Sequence, residues 1–410
     1  MNKKLLIIGF VWPEPRSSAA GSRMMQLISF FQSQQYQIAF ASACAKSDNA
    51  FDLSSIGVEK VTIELNHSSF DDFILKYNPD IVIFDRFMSE EQFGWRVSGQ
   101  CPNAIKILDT EDLHFLRRTR QQALKDNVEV THDNLFNETT TKREIASIYR
   151  CDLSLIISTA EMGLLQDTFK IDSSLLQYLP FLVAPISEVK KQELPSFENR
   201  QHFISIGNFR HEPNYNALLY LKDTIWKGIR ALLPNAQLHN YGSYASQKVN
   251  QLHNEKEGFL IRGFTEDVNE VMQQSKVLLA PIRFGAGLKG KLFDAMQNGT
   301  PFVSTSVGLE GIVKDIKQDF IGDTPEEFIS HSVALYTDTF TWSQQQALGF
   351  KILEQQFSKI HFEGKFEDRL LSLVDTIKAH RQQNFIGQLL QHHTLQSTKY
   401  MSKWIEAKNS

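Results

Sequence analysis

The chain has 410 residues, of which 42% are hydrophobic and 22% charged, with a formal net charge of −4. A domain typically takes about 100–200 residues, so this length suggests two. The composition excludes disordered and fibrous classes, and the mildly acidic balance leaves no overall footprint for nucleic acid, so any basic site must be local.

From the N-terminus, Lys3-Lys4 precedes an apolar run, 5–11, that closes on Trp12-Pro13-Glu14-Pro15. Because the run is short and lacks a small-residue cleavage site, it reads as a buried first strand and not a signal peptide. No stretch reaches the roughly 18 apolar residues needed to span a bilayer. Further strands are expected at 37–42, 60–65, 80–84, 104–108 and 153–158. Met24, Leu27, Ile28 and Phe31 carry helical spacing between the first two. Residues 113–149 read as polar and mostly helical, with a break near 127–134. Several strands are apolar on both faces, as in a parallel sheet covered by helices on each side.

Residues 181–200, with Pro185 and Pro195, read as a linker. A second series of strands follows at 203–206, 237–241, 259–261, 277–280 and 302–304, with helices at 215–232 and 268–274. From Thr324 onward the pattern is helical. After Ile386 comes a polar tail whose few apolar residues (Leu389, Leu390, Leu395, Met401, Trp404, Ile405) either cross back onto the first domain or mark a weakly ordered extension. The expected division is a first domain at 1–180, a linker at 181–200, a second domain at 201–380 and a tail at 381–410. Two α/β units of this kind place a ligand in the crevice between them. Cys44, Cys101 and Cys151 are 50 or more residues apart and form no C-x-x-C pair. They read as reduced thiols of a cytosolic protein.

Residues 280–301 hold the most chemistry. A buried strand ends near Pro281, and the loop Gly285-Ala286-Gly287 leads to Leu288, Leu292, Ala295 and Met296 on one helical face. Gly299 then sits at the C-cap position and Pro301 bars continuation. A glycine loop entering a helix offers free N–H groups and a partial positive charge. Lys289 and Lys291 oppose the helix dipole in that first turn, a cost that makes sense where an anion is received. Asp294 is placed to take ribose hydroxyls. The alternative is a surface helix with a solvated Lys–Asp pair. The P-loop pattern is absent, and so is the dinucleotide fingerprint.

The stretch 284–311, with Gly285 to Lys291, Asp294-Ala295-Met296, Gly299-Thr300-Pro301 and Gly308-Leu309-Glu310-Gly311, resembles the donor-binding region of group 1 (family 4-like) glycosyltransferases of the GT-B fold. Residues 203–214 are similar to the first strand and loop of that family's C-terminal domain. Weaker likenesses lie at Leu108 to Arg117 and Pro15 to Arg23. The resemblance implies an α/β chain of two Rossmann-like domains facing across a cleft. It implies retaining sugar transfer from a nucleotide-diphosphate-sugar to a hydroxyl acceptor in polysaccharide or glycoconjugate synthesis. The diphosphate would meet Gly285, Gly287, Lys289 and Lys291 with help from Arg210, the ribose Asp294, the nucleobase Gly263 and Phe264, and ribose or sugar Glu310. Many members carry a second carboxylate eight positions before Asp294, where this chain has Ala286. No Asp-x-Asp loop appears, so a metal-free leaving-group clamp is expected, with no cofactor beyond the nucleotide-sugar.

Asp112 and His114 follow a strand at its ligand-binding edge and are expected to handle the sugar or the acceptor hydroxyl, although Asp112 also suits a helix cap. Arg16 and Arg23 read as surface arginines within reach of a phosphate. Arg117-Arg118-Thr119-Arg120 reads as a solvated helix face. His380, His392 and His393 lack metal-ligand spacing. A nucleotide-sugar epimerase and a non-catalytic scaffold of the same fold remain alternatives. The chain is expected in the cytoplasm, with peripheral contact at the inner face of the membrane as the alternative.

Overall fold

The computed structural model describes residues 3–312 and 321–409, and the side chain of Leu395 lies outside the described set. The first sheet contains β1 (Lys4–Gly9), β2 (Gln37–Ser42), β3 (Glu59–Thr62), β4 (Ile81–Asp85), β5 (Ile105–Asp109), β6 (Leu153–Ile156) and β7 (Leu176–Tyr178). Its order is β3-β2-β1-β4-β5-β6-β7, with every neighbouring pair parallel. The second sheet holds β8 (Gln201–Ile206), β9 (Leu238–Tyr241), β10 (Phe259–Gly263), β11 (Ser275–Ala280) and β12 (Phe302–Ser304), in the parallel order β10-β9-β8-β11-β12. The order reverses beside β1 in one sheet and beside β8 in the other, which opens a crevice at the strands' C-terminal ends in each domain.

The central strands owe their place to apolar side chains on both faces. Leu6 and Ile8 join one apolar cluster of the first domain while Leu5 and Ile7 join the other, all fully buried. The linker region is not featureless, since a short helix spans Glu188–Glu193. The expected helix at 215–232 is a continuous rod, Glu212–Tyr220 and Trp226–Leu232, joined by one wide turn at Leu221–Ile225.

The polar tail is helical and belongs to the first domain. Two long helices, Lys359–Gln383 and Phe385–Asn409, end the described chain. Phe362, Phe366, Leu370 and Leu373 pack with Phe30 and Phe31 in the first domain's core, and the Phe366 and Phe30 rings lie 4.9 Å apart. His380 Nε2 meets the Asp152 carbonyl, Arg381 pairs with the Asp152 carboxylate at 2.8 Å, and Arg96 donates to Ser402 Oγ at 3.1 Å. The second domain therefore ends near Phe357, earlier than the expected 380. The two crossings run side by side: Val183 N–H donates to Phe357 O and Lys359 N–H to Val183 O. Among the described residues no helix is long and apolar enough to cross a membrane.

Candidate functional site

A cleft of about 950 Å³ lies between the two sheets. Its second-domain wall is built by the loop after β11 and the helix Gly290–Gln297, whose N-cap position is Lys289. Gly285, Ala286, Lys289, Gly290, Lys291 and Asp294 all line it. Lys289 Nζ donates to the carbonyls of Ala286 (3.2 Å) and Gly287 (2.8 Å), and Lys291 Nζ donates to Asn214 Oδ1 at 2.9 Å. Both ammonium groups therefore wait on neutral acceptors, an arrangement an anion can displace. Burial pulls both lysines down to about 8, with Glu310 opposing at Lys289 and Asp294 at Lys291. Burial pushes Asp294 up to about 7 against the pull of Lys291.

Gly287 and Gly290 let the domains close on each other. A Cβ on Gly290 would meet Ala19 Cβ at 2.7 Å, and one on Gly287, whose φ is +63°, would meet Asp112 Cβ at 2.9 Å. Gly287 itself does not line the cleft, because its N–H is spent on the buried Glu161 carboxylate at 2.8 Å. Ala286 is 7% exposed and joins the first domain's apolar cluster. A carboxylate at that position would be stripped of water among apolar side chains.

The opposite wall carries Asp112 and His114. Asp112 does not cap the helix His114–Asp126. Its carboxylate pairs with Arg117 at 2.8 Å; burial works against the charge, yet Arg117 and His114 hold it below the ordinary carboxylate range. The helix N-terminus is served by two other acids: Glu161 accepts from Leu113 N–H at 2.9 Å, and Glu144 from His114 and Phe115 N–H at 3.1 and 3.0 Å. His114 Nδ1 lies 3.4 Å from Glu144 and 3.8 Å from Asp112.

Arg210 and Phe264 line the cleft, and Phe264 is 40% exposed beside Gly263, whose φ of +74° turns the chain after β10. Gly263 itself is outside the lining; its carbonyl accepts from Gly242 N–H. Glu310, expected at ribose or sugar, is engaged elsewhere. It is absent from the cleft wall, and both its oxygens accept from Arg120 at 2.7 Å, while Arg120 also bonds the Gly285 carbonyl at 2.8 Å. The Arg117–Arg120 run is likewise no uniformly solvated face: only Arg118 is exposed, and Arg117 and Arg120 are each paired. Arg23 is neither at the surface nor in the cleft, being 1% exposed and paired with the fully buried Asp109 at 2.9 Å.

Sequence reasoning passed over Arg86 and Glu111, which line the cleft at the ends of adjacent strands β4 and β5, both with positive φ (+68° and +61°). Burial, with help from Asp109, raises Glu111 well above the carboxylate range. His211 lines the second-domain wall, pulled down to about 4 by burial and by Arg117. Among the described residues no cluster of three or more His, Cys, Asp or Glu is placed to hold a metal ion.

Two parallel-sheet domains facing across a cleft, with the second domain's glycine loop and helix N-terminus at its wall, define the GT-B fold. Solved structures agree. Sucrose-phosphate synthase from Thermosynechococcus elongatus is similar at 13% identity and a TM-score of 0.68, over 92% of this chain and all of that one. HepE of Anabaena, solved with UDP and glucose, is similar at 13% identity and 0.65, over 91% of this chain and all of that one. WaaG, a glycosyltransferase involved in lipopolysaccharide biosynthesis, reaches 13% and 0.58, over 89% of this chain and 98% of that one. Residues 200–338 match the family model of group 1 glycosyl transferases. The chain thus carries a group 1 glycosyl transferase domain on a GT-B fold. No curated protein matches the sequence.

Proposed function

We propose that the chain transfers a sugar from a nucleotide-diphosphate-sugar to a hydroxyl of a carbohydrate or glycoconjugate, with retention of anomeric configuration. The observation that carries this reading is Lys289, Lys291 and the start of the helix Gly290–Gln297 facing, across one cleft, Asp112 and His114 of the other domain. As the bond from the anomeric carbon to the diphosphate oxygen breaks, negative charge grows on the leaving group. In this reading the ammonium groups and helix N–H dipoles stabilise that charge, with no metal ion or further cofactor required. The new bond joins the anomeric carbon to the acceptor oxygen on the face the diphosphate leaves. His114 Nδ1 lies 3.4 Å from Glu144 without a hydrogen bond to it; in this reading the imidazole receives the acceptor's proton. Asp294 takes the ribose hydroxyls and Phe264 meets the base. HepE, a similar structure, was solved with UDP-glucose, which supports a nucleotide-sugar donor here.

The test is titration with a panel of nucleotide-sugars, followed by transfer assays with sugar acceptors. Saturable binding that weakens in Lys289→Ala and Lys291→Ala is expected. No binding by the unmodified chain would overturn the reading. Donor isomerisation without acceptor would identify an epimerase, and binding without turnover a scaffold.

A further inference from the structure

The loop after β1 folds tightly back on itself. Ser17 and Ser18 N–H groups both donate to the Glu14 carbonyl at 3.0 Å, and Ser18 Oγ accepts from Gly21 N–H to cap the helix Ala19–Ser33. Gly21 is required here, since a Cβ would lie 2.4 Å from the Glu14 carbonyl. This turn presents the Glu14 side chain to the other domain. There the Tyr244 hydroxyl donates to its carboxylate, 2.8 and 2.9 Å from the two oxygens, while Ser47 Oγ fixes the same carboxylate from the first domain's side.

Tyr244 holds a positive φ of +61°, an uncommon state for a residue with a large side chain. Over its ring, 3.9 Å from the centroid, lies the Arg210 guanidinium. Among the described residues, this ring is the guanidinium's sole partner; the Arg210 backbone N–H is held separately by Asn208. A guanidinium stacked flat on an aromatic face keeps its N–H edge free for a phosphate. A phenol hydroxyl bonded to a carboxylate also makes its ring richer in electrons and a better seat for a cation. Glu14, Tyr244 and Arg210 all line the cleft.

We propose that Tyr244 is a positioning residue for Arg210 and that Glu14, reaching over from the acceptor-side domain, sets the Tyr244 ring. Each domain then contributes to the placement of one donor-binding cation, and parting the domains unseats it. This inference rests on the transferase reading, in which Arg210 meets the donor's diphosphate.

The experiment is calorimetric titration of UDP and GDP, and of the matching monophosphates, into the full chain and its variants. For whichever base binds, Tyr244→Phe is expected to weaken the diphosphate about threefold and Tyr244→Leu about tenfold, with monophosphate affinity held within about twofold. In an Arg210→Ala background neither substitution should have any further effect. Melting curves check folding, and should Tyr244→Leu fail to fold, Glu14→Gln supplies a comparison that keeps the ring. Diphosphate affinity unchanged in the variants would overturn the inference alone, as would equal loss for mono- and diphosphate or an effect that persists without Arg210. Absence of diphosphate binding by the unmodified chain would overturn the transferase reading and this inference with it.

Discussion

Glu161 of the first domain accepts the N–H of Gly287 of the second at 2.8 Å, and with the same oxygen the N–H of Leu113 at 2.9 Å. One fully buried carboxylate thus fixes both the glycine loop and the entry to the helix that bears His114. Its other oxygen has no hydrogen-bond partner among the described residues.

Burial, reinforced by Asp112, pushes Glu161 up to about 8, and burial carries Asp294 to about 7. For an acid raised on folding, the stabilising contribution is complete below its ordinary value and is lost as pH rises through the folded value. Lys289 and Lys291, held down to about 8, have the opposite sign: their contribution is complete above the ordinary lysine value and is lost as pH falls through about 8. His211, held down to about 4, adds stability as pH rises to the ordinary histidine value, so the net loss of thermal stability in the ligand-free protein is expected from pH 6.5 to pH 8, with part of it regained above. Melting temperatures across that range check this, and Glu161→Gln should flatten the acidic limb.

On the transferase reading, the same two lysines make nucleotide binding sensitive to alkali. A bound diphosphate favours their charged forms, so binding above pH 8 must take up protons. Affinity should fall between pH 8 and 9.5, and the heat of binding should depend on the buffer's ionisation enthalpy. Lys291→Ala removes one charge-assisted contact worth about 1.5–3 kcal/mol, a loss of about ten- to hundredfold in affinity.

Arg120 acts on the site without lining it. Arg120→Ala unties Glu310 and the Gly285 carbonyl together, and a loss of about 1–3 kcal/mol in stability is expected from denaturant titration. On the transferase reading, nucleotide affinity should drop as well, because the glycine loop loses its brace from the first domain. Arg120→Lys should rescue only part of this, since an ammonium cannot reproduce the two-pronged contact.

Phe366 lies beyond the second domain in sequence but inside the first in space. Phe366→Ala should cost about 3–5 kcal/mol, as for other large-to-small core changes. Amide exchange should then accelerate in β1 and β2 and change little in β8 to β12.

The strands with apolar runs were legible because burial on both faces leaves a continuous signature, as at 5–8, 81–84 and 277–280. β7 was not, because Leu176-Gln177-Tyr178 is three residues at a sheet edge with one polar member. The loop at 285–291 is legible through its glycines and lysines. Glu144 and Glu161 carried no local signal, since the N–H groups they serve lie 29 or more residues away. Arg117 and Arg120 misled for a related reason. Three residues apart on a helix they look like a solvated stripe, yet the partner of Arg120 lies 190 residues on. The helix Lys359–Gln383 reads as the end of the second domain and the stretch after Ile386 as a tail, because the inward stripe is narrow and its counterpart is near the other end of the chain.

The paired crossings at Val183 and residues 357–359 make the second domain a contiguous insertion within a split first domain. During synthesis on the ribosome, that insertion has all its strands before the surrounding domain has its closing helices. The first domain's core is incomplete until Phe362, Phe366, Leu370 and Leu373 emerge to pack on Phe30 and Phe31. The first core begun on the ribosome is thus completed only by the last helices to leave it.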